Sequence, residues 1–214
     1  MSNFLIFGSP GSGKGTVCEV MARRGYTVLS MGTLLRKYVR DLTPLGKKIE
    51  QNVYQSILIP DTIACELMED EIKKRVAATE KPFVIEGFPS TIIQYQLFIP
   101  TFKKYNLKVL YLKCRPDLAI ERITSRMMCQ VCEGIYNLRS NPPHKQNICD
   151  RCESLLVRRS EDNLSLAKKR IETFQEKTYP ILNEVKVDHI LNNNSSHNQL
   201  LAQVTELLDE QRAC

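Results

Sequence analysis

Phe4-Leu5-Ile6-Phe7-Gly8-Ser9-Pro10-Gly11-Ser12-Gly13-Lys14-Gly15-Thr16 is the stretch from which the rest of the chain can be read. An unbroken apolar run from Phe4 to Phe7 matches a strand buried on both faces. The glycines that follow permit a turn in which backbone N–H groups curl around an anion at the N-terminus of the next helix. Lysine at this spacing reaches the outer phosphates of a nucleoside triphosphate. Gly15 separates Lys14 from Thr16, whereas the general pattern sets Ser or Thr directly after the lysine to ligate magnesium. Gly11, Ser12, Gly13, Lys14, Gly15 and Thr16 are therefore the candidates for holding a donor nucleotide. The competing reading is a glycine-rich turn with an incidental lysine; the preceding strand, the following helix and the full spacing favour nucleotide binding.

Outward from this turn, β-rich runs at Phe4–Phe7, Thr27–Ser30, Pro82–Glu86, Leu107–Lys113 and Val187–Leu191 alternate with segments of helical period. Such alternation specifies a doubly wound α/β core with a parallel five-stranded sheet covered on both faces. A helix is expected over Asp61–Ala78, and the apolar stripe Leu200, Leu201, Val204, Leu207, Leu208 marks an amphipathic C-terminal helix. Two stretches interrupt the pattern. Met31 to Pro60 holds two helical segments without a strand, and Met128 to Val157 is rich in Cys, Asn and Pro. Both are expected as insertions at the C-terminal edge of the sheet, dividing the chain into core (1–30, 61–126, 159–214), one flap (31–60) and a second (127–158).

The 214 residues, 43% hydrophobic and 25% charged, suit one main core and contain no window long and apolar enough for a membrane span. Met1 to Asn3 lack a basic region and a cleavage site, so the expectation is a cytoplasmic protein without membrane partners. The net charge of +6 fits phosphorylated small molecules, nucleic acid or acidic membrane, and does not choose among them.

Of eight cysteines, Cys18, Cys65, Cys114 and Cys214 stand alone, while Cys129, Cys132, Cys149 and Cys152 form two Cys-x-x-Cys pairs. Paired knuckles of this kind bring four thiolates to a tetrahedral zinc with no open position, hence a structural site. Structural zinc contributes about 10–16 kcal/mol of apparent folding free energy in small peptides, enough to replace a core that so short an insertion cannot build. Disulfides and an iron–sulfur cluster are the alternatives; the first requires an oxidising compartment and the second commonly uses other spacings.

Glu86 closes the apolar run Phe83-Val84-Ile85, which sets its carboxylate near the phosphate turn of a doubly wound sheet. It is the candidate for holding Mg2+ through water, against the plainer reading of a capping or ion-paired carboxylate. His144, His189 and His197 are given no catalytic role.

Together with the Gly-x-Pro-Gly-x-Gly-Lys-Gly-Thr turn, Leu29 to Arg36, Glu86 to Gln94, Asp117 to Arg126, the cysteine insertion, and Arg159-Ser160-Glu161-Asp162-Asn163 running into Lys168-Lys169-Arg170 resemble the adenylate kinase family over nearly the whole length. The resemblance implies a P-loop kinase core with an NMP-binding flap and a zinc-containing lid, acting as a monomer on ATP and on AMP or ADP, with Mg2+ and structural Zn2+. It implies further that Arg36, Gln94, Arg159 and Arg170 meet AMP or its phosphate. Met31, Ile57, Leu58, Ile59, Gly87, Phe88, Pro89 and Ser90 complete that acceptor site. Arg122, Ile135 and Tyr136 border ATP, and Lys14, Arg126, Arg159 and Arg170 supply catalytic charge. For Arg122 and Arg126 the residues alone would suggest solvated helix faces.

The chain departs from the family pattern at Ser90, where an arginine is expected to clamp the AMP phosphate, and at Met31 and Thr33, where threonine and aspartate are usual. Gln94 argues for adenine, since an amide can both donate to and accept from its edge. Kinases of UMP, CMP or GMP are the nearest alternative. A zinc-ribbon nucleic-acid-binding module is the other, but it leaves the phosphate turn and distributed arginines unexplained, so no nucleic-acid partner is expected.

Overall fold

The computed structural model describes every residue except Ala77, Ala78, Glu80 and Cys214. The chain runs through β1 (Phe4–Gly8), α1 (Lys14–Arg23), β2 (Thr27–Ser30), α2 (Met31–Arg40), α3 (Pro44–Tyr54), α4 (Asp61–Arg75), β3 (Phe83–Glu86), α5 (Ile92–Lys104) and β4 (Lys108–Lys113). It continues through α6 (Pro116–Thr124), β5 (Arg126–Cys129), β6 (Ile135–Asn137), β7 (Leu156–Val157), α7 (Leu164–Thr173), β8 (His189–Asn192) and α8 (His197–Ala213). The parallel sheet has the order β2-β3-β1-β4-β8. The predicted five-stranded core is therefore present, with β1 at its centre.

Alternation along β1 explains the two layers. Leu5 and Phe7 pack with Leu34, Met68, Ile85 and Phe98 on one face, while Phe4 and Ile6 pack with Val17, Met21, Val204 and Leu208 on the other. Every β1 residue is buried, as a central parallel strand requires. Burying each large apolar side chain contributes about 1.5–3 kcal/mol, so the unbroken apolar runs seen in the sequence are also the energetic centre. The last strand starts two residues later than expected, at His189. Before it, the Asp188 carboxylate accepts from Val109 N (2.8 Å) and Asp188 N donates to Val109 O (3.0 Å), so a side chain replaces one rung of the ladder.

Because all five strands run the same way, their C-terminal ends share one edge: Gly8, Ser30, Glu86, Lys113 and Asn192. Loops leaving that edge surround a crevice beside β1, where consecutive connections diverge to opposite sides. Segment 31–60 holds α2 and α3. Ser30 Oγ accepts from Thr33 N to cap the first, and Thr43 Oγ1 accepts from Gly46 N to cap the second, with Pro44 in its first turn. The second interruption folds as an antiparallel sheet, β6-β5-β7, whose own buried cluster is only Cys129, Tyr136, Cys149 and Leu156. The helix expected over Asp61–Ala78 is seen as far as Arg75; its last positions, Ala77 and Ala78, lie outside the described residues, as does the lone Cys214. Among the described residues no helix is long and apolar enough to cross a membrane.

α2 and α3 touch at Gly46, where a Cβ would stand 1.9 Å from the Tyr38 carbonyl oxygen. The obstacle is backbone, which no rotamer change relieves. Gly46→Ala is expected to destabilise this helix pair by about 1–3 kcal/mol, the usual cost of overpacking. Urea denaturation with amide exchange along α2 and α3 checks it; unchanged protection and midpoint would contradict the contact.

Candidate functional site

The turn after β1 is held from inside by its own lysine. Lys14 Nζ donates to Gly8 O (2.7 Å) and Ser9 O (3.0 Å) and lies 3.8 Å from Glu86 Oε1. Burial pushes the ammonium below its ordinary range, while Glu86 pulls it back. Among the described residues the Ser9 and Ser12 hydroxyls are buried without a protein partner. Buried polar atoms are nearly always bonded, so the turn is built to be completed by a ligand. Gly13 has φ 98°, and a Cβ there would stand 2.5 Å from Asn193 Nδ2. Both facts require glycine at this position.

Among the arginines that border a cavity of about 1310 Å3 beside the turn, four come from three segments and share a set of buried acidic partners or neighbours: Arg36, Arg126, Arg159 and Arg170. Arg126, entering β5, donates from Nε and Nη2 to Asp162 Oδ2 and Oδ1 at 2.7 and 2.5 Å, a two-pronged pair. Arg170 from α7 donates to Asp162 Oδ1 (3.3 Å), and Arg36 from α2 lies 3.9 Å from Glu161 Oε1. Arg159 donates from Nε to the Met128 sulfur (2.9 Å). Asp162 itself is buried to 1% exposure. Burial, and next the charge of Arg126, push Arg159 down to about 9 and Arg170 to about 10; burial likewise lowers Arg36. Cations held against that cost in one cavity are matched to a polyanion. The cavity also exceeds the 300–1,000 Å3 common for a single small ligand.

A third wall comes from the segment after β3. Ser90 N donates to Gln94 Oε1 (2.7 Å), Ser90 Oγ to Gly87 O (3.2 Å), and Thr178 Oγ1 to Ser90 O (2.8 Å). Gln94 Nε2 donates to Asp61 Oδ1 (3.0 Å), as does Thr91 Oγ1 (2.9 Å). The Gln94 amide is thus engaged at both ends by protein, leaving one N–H and one lone pair for a ligand. Met31, Ile57, Leu58, Ile59, Phe88 and Pro89 border the same space, beside Gly87. Glu86 accepts from Ser30 Oγ (2.7 Å), so its carboxylate is fixed at the strand end next to the phosphate turn. An oxygen donor in that position suits Mg2+ with water between.

In the cysteine insertion the four sulfurs of Cys129, Cys132, Cys149 and Cys152 lie within 4.8 Å of one another. Cys129 and Cys152 approach to 3.4 Å, as do Cys132 and Cys149. Those separations are far beyond a disulfide bond of about 2.05 Å. They bracket the edge of about 3.8 Å expected for thiolates 2.3 Å from a tetrahedral zinc. Glu133 and Glu153, each following the second cysteine of its pair, have φ 59°, so the two knuckles turn alike. The Tyr136 hydroxyl accepts from Asp150 N (2.8 Å) and meets Cys149 Sγ (3.4 Å), which commits its polar end to the knuckle while its ring borders the cavity. Ile135 reaches the helix after the phosphate turn, its Cδ1 standing 3.1 Å from where a Gly15 Cβ would be.

The fold gathers most of the residues singled out in the sequence around one crevice, while Ser12, Cys129, Cys149 and Cys152 lie outside its lining. The histidines divide: His144 is 3.2 Å from Asp150 Oδ1 at the surface, His189 lies in β8, and His197 borders the cavity at the start of α8. Sequence reasoning missed three polar organisers. Asp162 joins two arginines, Asp61 ties Thr91 to Gln94, and Asn193 donates from Nδ2 to Ser12 O (2.8 Å) behind the phosphate turn. Asp162 lay inside a quoted motif, and its acidity among arginines was the available signal. Asn193, in a run of asparagines after a strand, gave none.

Known proteins resemble the chain in the same respects. A family model described as adenylate kinase matches residues 6–190. An adenylate kinase of Borrelia turicatae is 34% identical over 191 residues, covering 88% of this chain and 89% of that one. One of Kosmotoga olearia is 33% identical over 185 residues, 85% of each. One of Clostridium botulinum (strain Langeland) is 28% identical over 211 residues, 95% of this chain and 97% of its own. A match that spans phosphate turn, arginine cluster and cysteine insertion alike places the whole architecture in one lineage: the chain belongs to the adenylate kinase family.

Proposed function

We propose that the protein catalyses reversible phosphoryl transfer from MgATP to AMP, giving two ADP. The carrying observation is a cavity walled on one side by the phosphate turn and on the other by Arg36, Arg126, Arg159 and Arg170. Two polyanions can face each other there only if fixed positive charge offsets their repulsion. The family membership and the names of the relatives support AMP as acceptor.

In this reading the backbone from Gly11 to Thr16 cradles the donor phosphates, and Lys14 exchanges its carbonyl partners for their outer oxygens. Glu86 would hold Mg2+ through water, and the bound ion would neutralise charge between the outer phosphates. Arg126, Arg159 and Arg170 stabilise charge spread over the transferring group, with Arg36, Arg159 and Arg170 orienting the acceptor phosphate. Met31, Ile57, Leu58, Ile59, Gly87, Phe88, Pro89, Ser90 and Gln94 form the acceptor wall, while Arg122, Ile135 and Tyr136 border the donor. Segments 31–60 and 127–158 are the moving parts over a core of 1–30, 61–126 and 159–214, closing to exclude water. No side chain need be a strong base, since positioning and electrostatics dominate this reaction type. We take Cys129, Cys132, Cys149 and Cys152 to hold a structural Zn2+, and the protein to be a cytoplasmic monomer.

Three kinds of measurement check this reading, the first of them turnover. ATP-dependent ADP formation should be fastest with AMP in a panel of AMP, CMP, UMP and GMP; preference for another acceptor would transfer the assignment to it. Ser90→Arg should raise kcat/KM for AMP about ten- to hundredfold, the effect of a charged hydrogen bond worth about 1.5–3 kcal/mol. Unchanged or lower efficiency would remove the missing clamp as an explanation.

Binding without turnover supplies the second check. ATP at about one hundred times its Kd should stabilise the fold by about 2.7 kcal/mol in calorimetry, because it binds the folded state and not the unfolded one. The third concerns the metal. Chelation, or Cys149→Ser, should abolish zinc retained on gel filtration and expose segment 127–158 to protease while the parallel-sheet core stays folded; a metal-free lid equally resistant to protease would rule zinc out as its staple.

A further inference from the structure

Asn193 is 4% exposed, follows β8, and is bonded at every polar group. Its N–H donates to Lys113 O (2.9 Å) and its Nδ2 to Ser12 O (2.8 Å). Its own carbonyl accepts from Arg122 Nη1 (2.9 Å) and its Oδ1 from Arg122 Nη2 (3.3 Å). The same guanidinium donates to Ser195 O (3.0 Å) and approaches Cys114 Sγ (3.5 Å). Arg122 is therefore occupied in fastening the loop between β8 and α8, and that loop in turn holds the phosphate turn from behind.

The consequence follows from peptide geometry. In a planar trans peptide the C=O of one residue and the N–H of the next point in opposite directions. With Ser12 O fixed towards Asn193, the Gly13 N–H points the opposite way, away from Asn193. Gly11 and Gly13 flank this region and offer little intrinsic resistance to a peptide flip. Lys14 holds the Gly8 and Ser9 carbonyls and Ser12 N donates to Ser9 O (3.0 Å) from inside the turn, while the Ser12 carbonyl is held from outside it by Asn193. We infer that Asn193, locked by Arg122, is a positioning residue that aims the Gly13 N–H at the donor phosphates, and that Arg122 acts on the nucleotide through Asn193. The backbone of Arg122 extends the linkage: Asn137 of β6 donates from Nδ2 to Arg122 O (3.2 Å), so the cysteine-bearing lid is connected to the same fastening.

This inference rests on the phosphate turn binding a polyphosphate, and inorganic tripolyphosphate separates the two questions because it has no base or sugar for Arg122 to touch. Calorimetric binding of tripolyphosphate is compared for wild type, Asn193→Ala, Arg122→Ala and the double variant, with thermal unfolding of each. The expected result is about tenfold weaker binding for Asn193→Ala, and a double variant no weaker than the weaker single one, since both changes release one peptide. In steady-state assays KM for ATP should rise in Asn193→Ala while KM for AMP stays within twofold, a split that general destabilisation would not produce. Asn193→Ala binding within twofold of wild type, or effects of the two substitutions that multiply, overturns the inference. Wild type that binds neither tripolyphosphate nor ATP overturns the phosphate-turn reading itself. Should Asn193→Ala not fold, Arg122→Lys serves, because a single ammonium cannot span Asn193 O, Asn193 Oδ1 and Ser195 O; several-fold weaker binding supports the linkage, and unchanged binding overturns it.

Discussion

Repulsion among like charges is the constraint around which the structure is arranged. Arg36, Arg126, Arg159, Arg170 and Lys14 border one cavity, and burial depresses four of them from their ordinary pKa ranges. Such a cluster persists only where buried carboxylates fix it, and Asp162, with Glu161 and Glu86, does so. Truncating one partner of a buried pair is costly because the other is left as an uncompensated charge. The rigid parallel sheet matters here chiefly as the frame that brings those carboxylates and cations to its C-terminal edge.

The two insertions solve a different problem, how to present charge on a segment too small for a core of its own. The flap does so with two capped helices in backbone contact at Gly46. The lid has only four buried residues in its cluster, two of them cysteines, and its sulfur arrangement suits a metal in place of apolar packing. Arg126 opens β5, the first strand of the cysteine insertion, so that insertion and the charge cluster share a residue. Arg151 of the second knuckle also pairs with Glu19 of α1, tying the lid to the core beyond the cavity.

The fold was largely legible because its strands are buried on both faces. Runs such as Phe4 to Phe7 and Phe83 to Ile85 have no alternative use, and their spacing set the five-stranded order of elements before any contact was known. Of the site, the phosphate turn and each Cys-x-x-Cys pair were legible for a related reason: local spacing brings their donor atoms together, although the two pairs meet across 17 and 23 positions. Arginines were harder. Arg122 and Arg126 sit four residues apart at the end of α6 and the entry to β5, yet one is turned to backbone carbonyls of the 193–195 loop and the other to a buried carboxylate. Gln94 was legible as an amide near the acceptor, but its tie to Asp61 and Ser90 depends on α4 and α5 lying side by side.

By itself, then, the sequence determined the layers, the phosphate turn and the two Cys-x-x-Cys pairs, because hydrophobic period and short-range spacing act within a few residues of chain. Tertiary structure alone decided which cations face the cavity, which are spent on the scaffold, and that Asp162 and Asn193 organise them. Those outcomes rest on pairs such as Asn193 with Ser12 and Arg126 with Asp162, separated by 181 and 36 positions. Their energies depend on burial that exists only once the sheet has assembled, and no local pattern encodes that.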